Sequence, residues 1–147
     1  MTAATAETHS NSLGWLLDEH IGAVPGVRYA VLVSGDGLLK SRTRTLSQTE
    51  AEQYAALTAA LRATALAFRE LTGDERMRQV LVELEGCISL TTAAGDHSLL
   101  SVCTEPDADI GLISHQMAAL AVRTREQLGT AERRPETDPE ADDGVPA

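Results

Sequence analysis

Apolar residues recur along this chain at helical spacing in some stretches and at strand spacing in others. A short first helix is predicted by apolar residues at i, i+4 and i+8, namely Leu13, Leu17 and Ile21. The helix ends before Pro25-Gly26, a pair that breaks helices. Val27–Val33 follows, and because it is β-branched and apolar at almost every position, it indicates a central strand covered on both faces.

A tight turn and a more polar strand come next. Gly35-Asp36-Gly37 supplies residues that tolerate positive φ, which predicts a hairpin. Leu38–Arg44 alternates with Lys40 and Arg42 on one side, a pattern typical of the edge of a sheet.

The longest periodic segment, Leu46–Leu71, predicts a helix capped by Thr45 or Ser47 and followed by Gly73. Large side chains at helical spacing, with Tyr54 on their flank, form a stripe that we expect to face the core: Leu57, Leu61, Thr64, Phe68 and Leu71. The opposite side is rich in small residues and carries few charges: Ala55, Ala59, Ala63 and Leu66, with Arg62 and Arg69 beside them. We expect that side to be covered by another molecule.

Three strands and a last helix complete the pattern. Met77–Glu85, Cys87–Thr92 and His97–Thr104 are separated by short turns, which argues for an antiparallel meander. Asp107 or Asp109 caps a final helix whose apolar residues keep helical spacing: Ile110, Ile113, Met117 and Leu120. The predicted fold is α/β (α+β), with a five-stranded antiparallel sheet, the long helix on one face and the two terminal helices on the other.

Composition limits the functions that this domain can have. The chain has 147 residues and a formal net charge of −10, which disfavours binding to nucleic acid or to anionic membrane surfaces. Residues 1–11 and 129–147 have too little apolar content to fold, so we expect a disordered lead, a domain over 12–128 and an acidic disordered tail. No apolar run is long enough to span a membrane and no secretory signal is evident, so a cytoplasmic protein is expected.

Motifs for catalysis or cofactor binding are missing. The chain contains no Walker loop, no GxGxxG, no HExxH and no GxSxG, so neither a catalytic residue, a metal nor a cofactor is predicted. Cys87 and Cys103 are expected to be packed thiols, although a reversible disulfide stays open if their strands pair in a suitable register. We expect Trp15 to pack against the sheet, with a binding hot spot as the alternative.

Two stretches of the sequence carry a family resemblance. LGWLLDEHIGAVPGVRYAVLVSGDGLLKS (13–41) and PDADIGLISHQM (106–117) resemble the roadblock/LC7 family, and they look especially like its actinobacterial members. That family consists of small proteins related in shape to profilins and longins. Its actinobacterial members occur in operons with a sensor-kinase-like membrane protein, a small partner protein and a small Ras-like GTPase.

The resemblance implies a function that depends on a surface. It implies a homodimer formed through the long helices and the strand after them, which would include Ala55, Ala59, Ala63, Leu66, Val80 and Val82. It also implies a small Ras-like GTPase as partner, for which Glu52, Arg62 and Arg69 are candidate contacts, and recruitment to the inner membrane face by partners. The alternatives are a scaffold for a sensor-kinase-like protein without effect on nucleotide turnover, and a small-ligand sensor.

Overall fold

The protein is described here from a computed structural model, which defines residues 13–95 and 97–132, with side chains defined as far as Glu126. Within these residues the chain forms three helices: α1 (Gly14–Leu17, continued by a π-helical segment, Asp18–Gly22), α2 (Gln48–Thr72) and α3 (Ile110–Glu132). Five strands lie between them: β1 (Val27–Ser34), β2 (Leu39–Arg42), β3 (Gln79–Glu83), β4 (Ile88–Ala93) and β5 (Ser98–Thr104).

The strands form one antiparallel sheet in the order β2-β1-β5-β4-β3. β3, β4 and β5 form the predicted meander, and β1 lies between β2 and β5 near the middle of the sheet. β2 and β3 are the two edges, as the polar pattern of β2 indicated. The five-stranded antiparallel fold is therefore confirmed.

A separate core covers each face of the sheet. On one face α1 and α3 pack against alternate strand residues, among them Leu32, Leu90 and Val102. On the other face α2 packs against Val31, Val33 and Leu99. The predicted layers, with the long helix opposite the two terminal helices, are confirmed.

Local sequence signals set the ends of the elements. The Ser47 hydroxyl accepts a hydrogen bond from the Glu50 backbone N–H (3.2 Å) and begins α2, while Gly73, at φ +78°, ends it. The Asp109 carboxylate accepts from the Leu112 N–H at 3.1 Å and caps α3. Gly37 turns the β1–β2 hairpin at φ +92°, a conformation that favours glycine.

The domain boundaries were predicted at residues 12 and 128. α3 continues past the second boundary to Glu132, because helical backbone extends beyond the last predicted apolar position. The predicted disordered lead lies outside the described residues, and so does the tail from residue 133 onward.

Candidate functional site

The buried and exposed sides of α2 are the reverse of those predicted from sequence. Ala51, Ala55 and Thr58 are its fully buried residues, and they face the sheet. The stripe that we expected in the core is largely open to solvent: Leu57 is 63% exposed, Phe68 64% and Leu71 83%. The predicted core stripe is therefore wrong.

The reversal follows from where the large side chains of this core originate. The sheet, the segment before α2 and the helix flank fill the space with Val31, Val33, Leu46, Tyr29 and Tyr54. Small residues on the helix then allow its backbone to lie close to that layer, and a leucine at the same positions would overfill it. The alanine side of α2 is thus covered by this chain's own sheet at Ala51 and Ala55, in the first half of the helix.

The exposed apolar side of α2 lies beside β3, the open edge of the sheet. Phe68 lines a cleft of about 410 Å³ together with Val80 and Leu81 of β3. On the opposite side of α2, Ala59 packs against the β1–β2 turn, where a Cβ built on Gly37 would lie 3.2 Å from the Ala59 Cβ. The large exposed side chains of the helix and the unpaired edge of β3 therefore belong to one surface.

We call this surface the α2–β3 face, and define it by the exposed or half-buried apolar side chains on one side of α2 and at the β3 positions that face α2: Leu57, Leu61, Phe68, Leu71, Val80 and Val82. Monomeric proteins seldom expose so many large apolar groups together. β3 also leaves one row of backbone N–H and C=O groups without a strand partner within the described sheet. Both features are typical of a protein-interaction surface.

The residues predicted for a dimer interface are separated by the structure. Ala55 is fully buried inside its own protomer, so no second copy can reach it. Ala59 and Leu66 are half-buried and Ala63 is exposed. Val80 and Val82, half-buried in the edge strand, are the predicted positions that lie on the α2–β3 face.

The predicted partner-binding residues are also separated. Glu52 is exposed and accepts a hydrogen bond from the Gln48 amide at 2.9 Å. Arg62 and Arg69 were expected on the free side of the helix, but both are half-buried on its sheet side. The Arg62 guanidinium lies over Gly35, and Arg69 donates to the Glu75 carbonyl at 3.3 Å. Each arginine therefore contacts a loop of its own chain, because each follows Ala51, Ala55 and Thr58 at helical spacing.

Hydroxyl groups under α2 form a connected network. The Tyr54 hydroxyl lies 2.6 Å from the Ser89 Oγ and accepts a hydrogen bond from the Ser101 Oγ at 2.8 Å, and Ser101 also contacts Thr91 at 2.8 Å. Tyr54 packs edge to face on Tyr29, with ring centroids 5.4 Å apart. Burial raises the pKa of Tyr54 above its ordinary value. The network fixes the start of α2 on β4 and β5.

The two cysteines are free thiols with different exposure. Cys103 is buried and pairs across the sheet with Ser89, while Cys87 is half-buried just before β4. The register therefore places the two cysteines diagonally, and diagonal neighbours lie about 7–8 Å apart, at the limit for a disulfide. Burial raises the pKa of the Cys103 thiol, which disfavours the reactive thiolate.

Other kinds of site were sought over the same residues. Within 13–95 and 97–132, His, Cys, Asp and Glu side chains form no group that could hold a metal ion. In the part of the chain that the structure describes, every helix is too short or too polar to cross a bilayer. The α2–β3 face is the candidate functional site that combines exposed large apolar side chains with an open strand edge.

Comparisons with known proteins agree with this fold. A sequence profile described as Roadblock/LC7 domain matches residues 13–104. A solved structure described as the Roadblock/LC7 domain from Streptomyces avermitilis is 32% identical, with a TM-score of 0.74, over 80% of this chain and 98% of that one. A comparison with curated proteins finds no significant match.

More distant structures share the fold alone. Myxococcus xanthus MglB is 18% identical, with a TM-score of 0.70, over 84% of this chain and 97% of that one. Acanthamoeba castellanii profilin IA is 13% identical, with a TM-score of 0.58, over 78% of this chain and 98% of that one. The profilin-like shape expected from the sequence is therefore confirmed.

Proposed function

The chain belongs to the Roadblock/LC7 family, and on that premise we propose that it is a non-enzymatic regulatory and scaffold protein. It forms a homodimer through the α2–β3 face, and the dimer binds a small Ras-like GTPase in a bacterial signalling complex. The observation that carries the proposal is the concentration of exposed large apolar side chains on α2 beside an unpaired edge strand.

A second copy of the chain suits this face better than an unrelated partner does. If two β3 strands pair about a two-fold axis, each satisfies the open backbone groups of the other, and the sheets join into one of ten strands. The same axis brings the two α2 helices together. Because Phe68 leans toward β3, the helices meet through the large side chains that the monomer leaves in water.

A GTPase partner is supported by family membership and by the chemistry that this chain lacks. The sequence has no phosphate-binding loop, and its charge of −10 repels nucleotide phosphates. A partner that carries the missing loop would supply nucleotide binding. Of the candidate contacts, Glu52 is free to reach such a partner at the rim of α2, whereas Arg62 and Arg69 would first have to leave their own loops.

The second candidate function is a scaffold that tethers a sensor-kinase-like protein at the membrane without changing nucleotide turnover. It uses the same dimer and differs only in what the dimer binds. A small-ligand sensor is favoured less, because the cleft beside Phe68 is open to solvent and none of the polar residues that line it is buried to orient a ligand.

Two measurements on the isolated protein test this proposal. Light scattering at micromolar concentration should give about twice the protomer mass of 15.6 kDa, and a mass of one protomer would remove the dimer. Calorimetry with GTP and with GDP should show no binding to this chain. Micromolar affinity for either nucleotide would mean that the chain binds nucleotides directly. That result would contradict the proposal that only the GTPase partner binds the nucleotide.

A further inference from the structure

A second exposed aromatic side chain lies on the other face of the sheet. Trp15 projects from α1 and is 56% exposed, so the expectation that it packs in the core is wrong. The core face of α1 is filled by Leu16, Leu17 and Ile21 instead. The indole lines a cleft of about 590 Å³ whose walls come from α1 and from the connection between β2 and α2: Gly14, Trp15, Asp18, Glu19 and Arg44.

This Trp15 cleft already holds one guanidinium group at its wall. Arg44 donates its backbone N–H to Asp18 Oδ1 at 3.0 Å, and its Nε lies 3.3 Å from Asp18 Oδ2. The Arg44 side chain is nevertheless 85% exposed, so this ion pair leaves most of the arginine side chain in solvent. The Asp18 carboxylate is thus already paired within this chain, and Glu19 is the second carboxylate of the cleft.

Two other side chains of the cleft, Glu19 and Trp15, lack an interaction of this kind within the described residues. Glu19 is exposed and makes no ion pair with the residues that the structure describes. Trp15 likewise makes no ring contact within them. An exposed indole beside a carboxylate attracts a guanidinium by stacking and by charge together.

We propose that the Trp15 cleft is a docking site for an arginine-bearing segment of a partner protein. One arginine of that segment stacks on the Trp15 indole and pairs with the Glu19 carboxylate. The net charge of −10 on this chain steers such a cationic segment toward it. The Trp15 cleft and the α2–β3 face lie on opposite faces of the sheet. A second copy of this chain on the α2–β3 face therefore leaves the cleft open to the arginine-bearing segment.

Segments of this chain outside the described residues suit the cleft poorly. Residues 1–12 contain neither lysine nor arginine, and residues 133–147 carry five acids against Arg133 and Arg134. Neither segment therefore has the net positive charge that the cleft favours. A separate basic segment fits better.

The sequence contains a single tryptophan, so fluorescence reports on this cleft alone. We would titrate the full-length protein with a short peptide of alternating arginine and serine, and follow Trp15 emission. Anisotropy of the same peptide, carrying a dye, would measure affinity for variants. Glu19→Lys should weaken binding roughly tenfold, and Trp15→Ala about fivefold. Glu85→Lys, which makes the same charge change in the exposed β3–β4 turn, should alter affinity less than twofold.

The proposal is supported by saturable binding that shifts Trp15 emission and shows this order of variants. It fails if the peptide leaves the emission unchanged, if Glu85→Lys weakens binding as much as Glu19→Lys, or if a glutamate–serine peptide binds equally well. Tighter binding after removal of residues 1–12 would show that this chain's own lead occupies the cleft, which also overturns it. The Phe68→Ser variant should bind the peptide normally, so the test is independent of the dimer.

Discussion

Replacing Phe68 by serine should separate the proposed dimer into monomers without unfolding them. Phe68 is 64% exposed in the protomer, so its contribution to the protomer's own core is small. An aromatic side chain presents about 200 Å² in total, which leaves about 130 Å² to be buried by a second copy. At about 25 cal/mol per Å² that area corresponds to about 3 kcal/mol in each protomer.

The two-fold axis places Phe68 in the interface twice. The loss of side-chain entropy on association offsets part of the free energy that this burial contributes. We therefore expect the dimer dissociation constant to rise at least about 100-fold, which corresponds to roughly 3 kcal/mol. Sedimentation equilibrium over a range of concentrations measures that constant directly. The far-ultraviolet circular dichroism of the variant should match that of the wild type.

Leu112→Ser is the matched control. Leu112 is an exposed apolar side chain, 43% accessible, but it lies on α3, on the opposite face of the sheet. Its loss should leave the dissociation constant within about twofold. The reasoning is refuted if Phe68→Ser dimerises like the wild type, or if Leu112→Ser separates the dimer equally.

Three further predictions concern the fold. Ala55→Leu should lower the free energy of unfolding, measured in urea, by about 1–3 kcal/mol, because Ala55 is fully buried between α2 and the sheet. Ala63→Leu, on the exposed side of α2, should change the free energy of unfolding by less than about 0.5 kcal/mol. Similar values for the two variants would argue against this packing of α2. Tyr54→Phe should cost about 1–3 kcal/mol through the lost hydroxyl contacts with β4 and β5. Burial raises the folded-state pKa of Tyr54, so the neutral form of this side chain stabilises the wild type below about pH 10, and this stabilisation is lost as the pH rises further. The Tyr54→Phe variant lacks this group and should therefore lose less stability in alkali. Identical pH profiles of the two proteins would contradict this account. A chain ending at Glu132 should keep its melting temperature within error, since residues 133–147 offer no apolar stripe, and a clear drop would show that the tail docks on the domain.

The sequence predicted the order of elements and most of their ends because those signals are local. Ser47, Gly73 and Asp109 act within a few residues of their own positions, so their roles can be read without knowing the tertiary structure. The edge strand β2 was also predictable, because Lys40 and Arg42 recur on one side of it.

The buried side of α2 could not be predicted in this way. The helix carries two stripes at helical spacing, one of large apolar side chains and one of small side chains. Periodicity alone does not indicate which of the two stripes is buried. The choice depends on how much space the sheet leaves, and Tyr29 and Val31 come from strands distant in sequence. The size of the leucines and of Phe68 predicted burial in the protomer, whereas the structure leaves these side chains largely exposed.

Trp15 is a different case, because its exposure follows from the predicted helix itself. Leu13, Leu17 and Ile21 define the buried side, and Trp15 lies two residues from both Leu13 and Leu17, which is about 200° around an α-helix. The size of the indole favoured burial, but the helical spacing favoured the exposed side that the structure shows.

The central claim is that this family member acts through a GTPase bound to its dimer. The direct measurement mixes the full-length chain with a small Ras-like GTPase from the same organism, loaded either with GDP or with a non-hydrolysable GTP analogue, and determines the mass of the eluting species by light scattering. We expect a complex containing two copies of this chain in at least one nucleotide state. Separate elution of the two proteins in both nucleotide states would contradict the account.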